Sequence, residues 1–184
     1  HCFVWFLIYG QTALGESPAL DNRQTLEFAR AIATDTLPKE AFHRAPLYLY
    51  LLSIFLSLGT PFDFLPVVAR LINSLALAIT ASCVSVCAVK IWRSKIAGWI
   101  AGLLVALNPV LIFFAGDPFD ILLATVPFSL SLCLIPEWIR APSIRRSFAI
   151  GSLLAIAAAL RSHFLPLALL FPTVALLLTK QLRI

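Results

Sequence analysis

Four charged residues stand far apart in this chain, each at the edge of an apolar run: Asp21, Arg44, Asp117 and Arg161. Two further residues lie close to them, His43 beside Arg44 and Asp120 three positions after Asp117. A carboxylate within hydrogen-bond reach can take the proton of an attacking hydroxyl. A guanidinium presents a planar set of donors that suits phosphate or the charge of a departing group. The four are so separated that any joint site must be assembled by folding. Other chemistries lack their residues. No three side chains have metal-ligand spacing, no glycine-rich phosphate loop appears, and no serine or cysteine has partners for a triad. Cys2, Cys83, Cys87 and Cys133 all sit in apolar runs, where they read as small packing residues.

Each candidate also has a plainer reading. Asp21 with Gln24 three residues on forms a helix N-cap and capping box, a role compatible with chemistry. Arg44 can anchor at lipid headgroups, and His43 reads more readily as a hydrated loop residue than as a ligand. Asp117, followed by Pro118, can cap the helix after it. Arg161 lies between two apolar half-helices, where a charge needs a partner or a task. His163 can snorkel, and Arg70 reads as an anchor at the head of its own span.

The elements that must position these residues are set by composition. Hydrophobic residues make up 60% of the 184, and charged residues only 12%, too few to cover a soluble domain of this size. The apolar residues lie in runs free of charge, from Leu71 to Val89, Ile96 to Gly116 and Ile121 to Pro136. About 20 residues at about 1.5 Å each cross a hydrocarbon core, and a backbone there must satisfy itself as helix. These runs do not alternate, which excludes a barrel. The spacing predicts membrane helices over 66–91, 96–115, 119–139, 147–161 and 164–180, with a kink at Asn108-Pro109. The chain has no Met and opens inside a short apolar run, so residues 1–13 read as the end of a first span, or of an uncleaved signal anchor, whose start is missing.

The net charge of +5 does not indicate nucleic acid. Lys90, Arg93 and Lys95 form one cluster, Arg140, Arg145 and Arg146 a second, Lys180 and Arg183 a third, each beside apolar runs, as the positive-inside rule produces. With these clusters in the cytoplasm, residues 14–65 become an extracytoplasmic loop, and Asp117, Asp120 and Arg161 lie at the outer face. That loop carries its own structure. Leu26, Ala29, Ile32 and Ala33 give a one-sided stripe on a short helix that Leu37-Pro38 ends. Pro46 suits the first turn of a second helix. The run Leu47 to Leu58 is too short to cross, and Tyr48 and Tyr50 favour an interface, so it reads as a helix along the outer leaflet. Gly59-Thr60-Pro61 then breaks the chain.

The order of certain segments resembles a known class. These are Ala19-Leu20-Asp21, Phe28-Ala29-Arg30-Ala31-Ile32, Phe42-His43-Arg44-Ala45-Pro46-Leu47-Tyr48-Leu49-Tyr50, Ala69-Arg70-Leu71-Ile72-Asn73, Asn108-Pro109 with Ile112-Phe113-Phe114-Ala115-Gly116-Asp117, and Ala159-Leu160-Arg161. Together they resemble the N-terminal half of bacterial membrane glycosyltransferases of the family 39 type. That group includes protein O-mannosyltransferases and the aminoarabinose transferase of lipid A. The resemblance implies an all-α, polytopic transmembrane bundle of the C-type glycosyltransferase fold, with juxtamembrane helices in its first extracytoplasmic loop. It implies a multi-pass protein of the inner (plasma) membrane, moving sugar from a polyprenyl-phosphate carrier to a protein, lipid or glycan on the extracytoplasmic side. By the same resemblance Asp21 is the base, Arg44 contacts the carrier phosphate, and Asp117, with Asp120 as a second candidate, lies at the outer site. Asn22 stands where relatives often carry a second acid, which argues against a role needing two adjacent carboxylates. A divalent metal stays open as a cofactor. Two rivals remain, a transporter or carrier-lipid flippase, which also uses broken helices and a charge at membrane depth, and a non-catalytic assembly subunit.

Overall fold

The computed structural model describes residues 21–36, 46–170 and 173, with the side chain of Asp21 excepted. The expected span end at 1–13, the residues His43 and Arg44, the last part of the expected helix 164–180 and the Lys180–Arg183 cluster lie outside them. Seven α-helices are described: α1 Asp21–Ala33, α2 Pro46–Ser57, α3 Leu65–Trp92, α4 Lys95–Ala106, α5 Pro109–Gly116, α6 Ile121–Arg140 and α7 Ile144–Leu160. Short 3₁₀ turns, Phe62–Phe64 and Ser162–Phe164, precede α3 and follow α7, and the backbone is helical again over 165–170. Among the described residues there is no strand.

Two helices are long and apolar enough to cross a membrane, Phe62–Trp92 and Ile121–Arg140, and α4 with α5 makes a third if that bent pair counts as one span. At 17 residues, α7 rises roughly 26 Å, short of a hydrocarbon core of about 30 Å. The break between α4 and α5 has a local cause. Pro109 cannot continue the ladder, and Asn108 caps the new helix, its Oδ1 accepting from the N–H groups of Val110 (3.0 Å) and Leu111 (3.3 Å). The axis turns by 48° there.

Small and polar residues line much of the inter-helix contact, beside buried leucines such as Leu65 and Leu77, while many other large apolar side chains face outward. Along α3, Ala69, Asn73, Ala76, Thr80 and Ala88 are buried, whereas Leu71 and Leu75 are more than half exposed. Between lipid-like surfaces there is no hydrophobic gain from burying leucine, and close backbone approach is favoured instead. Gly98 and Gly102 of α4 show this. A Cβ on Gly102 would stand 2.9 Å from Ser85 Cβ, and one on Gly98 2.9 Å from the Ser85 carbonyl oxygen, so α4 lies directly on α3. The α3–α6 contact uses polar side chains, with Thr80 and Thr125 hydroxyls 2.9 Å apart. Pro136 lacks an N–H and frees the Leu132 carbonyl, which accepts from the Cys87 thiol of α3 at 3.8 Å.

The two short helices cover one end of this bundle. The first ends in a Schellman motif, with Thr36 N–H donating to Ala31 O and Asp35 N–H to Ile32 O, and with Asp35 in the left-handed region (φ 54°). The stop therefore comes before Leu37-Pro38. The same motif closes α2, where Thr60 N–H donates to Phe55 O, Gly59 N–H to Leu56 O, and Gly59 supplies φ 93°. Leu26 and Ala29 of α1, Tyr48 and Leu52 of α2, Leu65 and Ala69 of α3, Ala124 of α6 and Leu160 of α7 form one buried cluster. Tyr48 is 1% exposed, so it is a core residue and not an interfacial one, whereas Tyr50 is 45% exposed. The reason is helical geometry: Tyr48, Leu49 and Leu52 share the face turned to the bundle, and Tyr50 and Ile54 face away.

Candidate functional site

The chain's helices run alternately, so their charged ends sort into two groups. Lys90, Arg93, Lys95, Arg140, Arg145 and Arg146 gather at one end, hereafter the basic end. Arg70, Asp117, Asp120 and Arg161 gather at the other, beneath α1 and α2; this is the acidic end.

At the acidic end the α5–α6 connection, Asp117 to Asp120, is a tight turn. Phe119 N–H donates to Asp117 O at 2.8 Å around the fully buried Pro118. Two side chains of α3 hold this turn. Arg70, 5% exposed, donates from Nε to the Gly116 carbonyl at 2.9 Å. Asn73, fully buried, donates from Nδ2 to the carbonyls of Asp117 (2.6 Å) and Phe119 (3.0 Å). Both residues lie on one face of α3, three positions apart. Arg70 is therefore a brace for the turn rather than a headgroup anchor.

Arg161 breaks the helical run with an extended backbone (φ −154°, ψ 116°), so α7 stops and its guanidinium turns back over the bundle. Its Nη1 donates to Asp120 Oδ1 at 2.9 Å, and the guanidinium carbon lies 5.4 Å from the centre of the Phe119 ring. The Phe119 ring stacks in turn on Phe114 of α5 at 5.9 Å. With side chains only 26% and 15% exposed, Arg161 and Asp120 form a partly buried pair. Asp117 is 8% exposed. Asp120 does not cap α6 through its side chain.

Tyr48 completes the floor. Asn73 and Asp120 are its polar neighbours, yet neither the phenol oxygen nor Asn73 Oδ1 completes a hydrogen bond. Burial, and then the charge of Asp120, push the phenol above the usual tyrosine range, so it stays protonated as a donor. A separate apolar groove of about 420 Å³ includes Leu47 and Leu160, the chain neighbours of Tyr48 and Arg161, in its lining. It runs between α2, α6 and α7, with Leu47, Ile54, Leu123, Leu130 and Leu160 among its walls.

Of the candidates read from the sequence, Asp117, Asp120 and Arg161 come together at this end. The backbone of Asp21 opens α1, which covers the same end, while its side chain is outside what is described, as are His43 and Arg44. His163 is exposed on the 3₁₀ turn after Arg161. Sequence reasoning missed Tyr48, Asn73 and the bracing role of Arg70. The available signal was Arg70 and Asn73 at i, i+3 at the head of an otherwise apolar run. Among the described residues no three His, Cys, Asp or Glu side chains sit where they could hold a metal ion. No family model, curated protein or solved structure matches the chain.

Proposed function

We propose that this chain is part of an integral-membrane glycosyltransferase, which moves a sugar from a polyprenyl-phosphate carrier to an acceptor at the extracytoplasmic face of the inner (plasma) membrane. The observation that carries this reading is a juxtaposition. Two buried or part-buried acids, Asp117 and Asp120, and two arginines, Arg70 and Arg161, meet at one end of an apolar bundle, and an apolar groove between α2, α6 and α7 has Leu160, the neighbour of Arg161, in its wall. A lipid-linked sugar phosphate has the same two halves, an isoprenoid tail and a polar head.

The chemistry then divides among the residues. The acceptor oxygen bonds to the anomeric carbon as the bond from that carbon to the phosphate oxygen breaks. Asp21 takes the acceptor proton, and the electron pair leaves on the polyprenyl phosphate, where Arg44 holds its charge. Asp117, Asp120 and Arg161 shape the polar pocket around the sugar, and His43 is a further candidate for contact with the substrate. Arg161 is already paired with Asp120, so it contributes by fixing that carboxylate rather than as a free cation.

A transporter or carrier-lipid flippase is the second reading, favoured by the broken α4–α5 pair. Against it, the N–H groups that open α5 at this break are taken by the Asn108 side chain, so the break itself offers no free helix N-terminus. The test is incubation of the full-length protein with labelled polyprenyl-phosphate sugar. Transfer to an acceptor, lost in Asp21→Asn while membrane insertion is unchanged, supports the enzyme. Undiminished transfer removes Asp21 from the role, and carrier movement across the bilayer without transfer supports the flippase.

A further inference from the structure

A second apolar groove lies between α6, α7 and the helical residues after Phe164, and it belongs to none of the chemistry above. Its volume is about 280 Å³, and Ile135, Trp138, Ile150, Gly151, Leu154 and Leu165 are among its walls. That is near the lower limit of ligand cavities, roughly 300–1,000 Å³. Its α7 residues recur at helical spacing from Ser147 to Ala158, so the groove is a lengthwise slot of roughly 16 Å. The slot has open space along its floor, since a Cβ added to Gly151 would meet nothing within 4 Å. An extended hydrocarbon chain fits this shape better than a compact solute does.

The mouth of the slot is the α6–α7 turn at the basic end. There Trp138 Nε1 donates to Ser147 Oγ at 2.7 Å and ties the two helices together. Arg146 donates from Nη1 to the carbonyls of Glu137 (3.1 Å) and Ala141 (2.9 Å), which closes the C-terminus of α6. Arg140 and Arg145 flank the turn, both exposed. Lys90, Arg93 and Lys95 add positive charge at the same end. Glu137 is the one acid there among the described residues, and it is already bound by Lys90. One end of the apolar slot thus reaches, at Trp138 and Ser147, a turn that carries two exposed arginines amid an excess of positive charge, the complement of an acyl chain carrying an anionic headgroup.

We propose that this groove binds one anionic phospholipid, with an acyl chain along α7 and its phosphate at the Arg140–Arg146 turn. The site depends neither on sugar transfer nor on which membrane face holds the basic end. Trp138 supplies the probe. In full-length protein with every tryptophan except Trp138 replaced by Phe (Trp5, Trp92 and Trp99 among them), its fluorescence is measured in phosphatidylcholine vesicles. A fixed fraction of the lipid is either brominated phosphatidylglycerol or brominated phosphatidylcholine. The anionic lipid should quench with a relative binding constant at least about fivefold higher. The double variant Arg140→Gln/Arg145→Gln should bring the two lipids to parity, and Gly151→Leu, which fills the slot, should reduce quenching by both. Ala155→Phe fills it from the next turn should the first variant fail to fold. Equal quenching by the two headgroups in the unsubstituted protein overturns the proposal. So does the absence of quenching by either, which means that protein covers the groove, and so does a preference that survives loss of both arginines.

Discussion

The two ends of the bundle carry similar residue types and use them in opposite ways. At the acidic end, charged and amide groups reach across more than 40 positions of sequence, from Arg70 to Gly116, Asn73 to Asp117 and Phe119, and Arg161 to Asp120. Most of these groups are buried, and their partners include backbone carbonyls of a single turn. At the basic end the bonds of Arg146 and Trp138 are local to one helix hairpin, and the Lys90–Glu137 pair leaves both side chains more than a third exposed. Polar groups at the acidic end therefore have few alternatives to their present partners, whereas those at the basic end can turn to water or headgroups. The difference leaves the acidic end a fixed, buried polar cluster and the basic end an adaptable surface.

Substitutions can break or sharpen that contrast. The largest effect is expected at Asn73. Asn73→Leu leaves the Asp117 and Phe119 carbonyls without their donor and should cost about 2–4 kcal/mol, read as a fall in melting temperature in detergent. An unchanged melting temperature would mean that water already serves those carbonyls. Next comes the ion pair. Arg161→Met removes the ion-pair partner of a largely buried Asp120 and should cost about 1–3 kcal/mol after allowing for its partial exposure. The double variant with Asp120→Asn should recover part of that loss, because the buried carboxylate charge is then gone; strict additivity would show the pair to be uncoupled. The smallest effect is expected at Lys90→Met, because its partner Glu137 is open to solvent. High salt should erase even that difference, since exposed pairs are screened. A loss at Lys90 as large as that at Asn73 would cancel the distinction between the ends.

Much of this architecture could be read from residue order. Asn108-Pro109 announces the α4–α5 break because a proline and a capping amide act locally. Gly59 announces the end of α2, since its left-handed conformation is a property of the residue itself. Arg161 marks the interruption after α7 for a similar reason, a charge between two apolar stretches. The site was less legible. Tyr48 looks interfacial by type, and only the packing of α2 on α3 and α7 decides which of two neighbouring tyrosines is buried. Asp120 reads as the lesser of two nearby acids, yet it is the one that Arg161 finds, because the turn around Pro118 aims it toward α7. Arg70 reads as an anchor until the Gly116 carbonyl, 46 positions away, is brought beside it. Local signals thus fix where helices begin and end, while the partners of the polar residues depend on contacts that only the assembled bundle supplies.

The account as a whole depends on the two ends facing opposite sides of a membrane, with the Asp117–Arg161 end outward. The direct measurement is labelling of intact cells with a membrane-impermeant thiol reagent, in full-length protein whose native cysteines, Cys2, Cys83, Cys87 and Cys133 among them, are replaced by alanine. Cysteine is introduced at exposed positions of either end, as Ser162→Cys and Ala141→Cys. The account predicts that position 162 reacts in intact cells and position 141 only after permeabilisation. Reaction at both without permeabilisation, or at 141 alone, would contradict it.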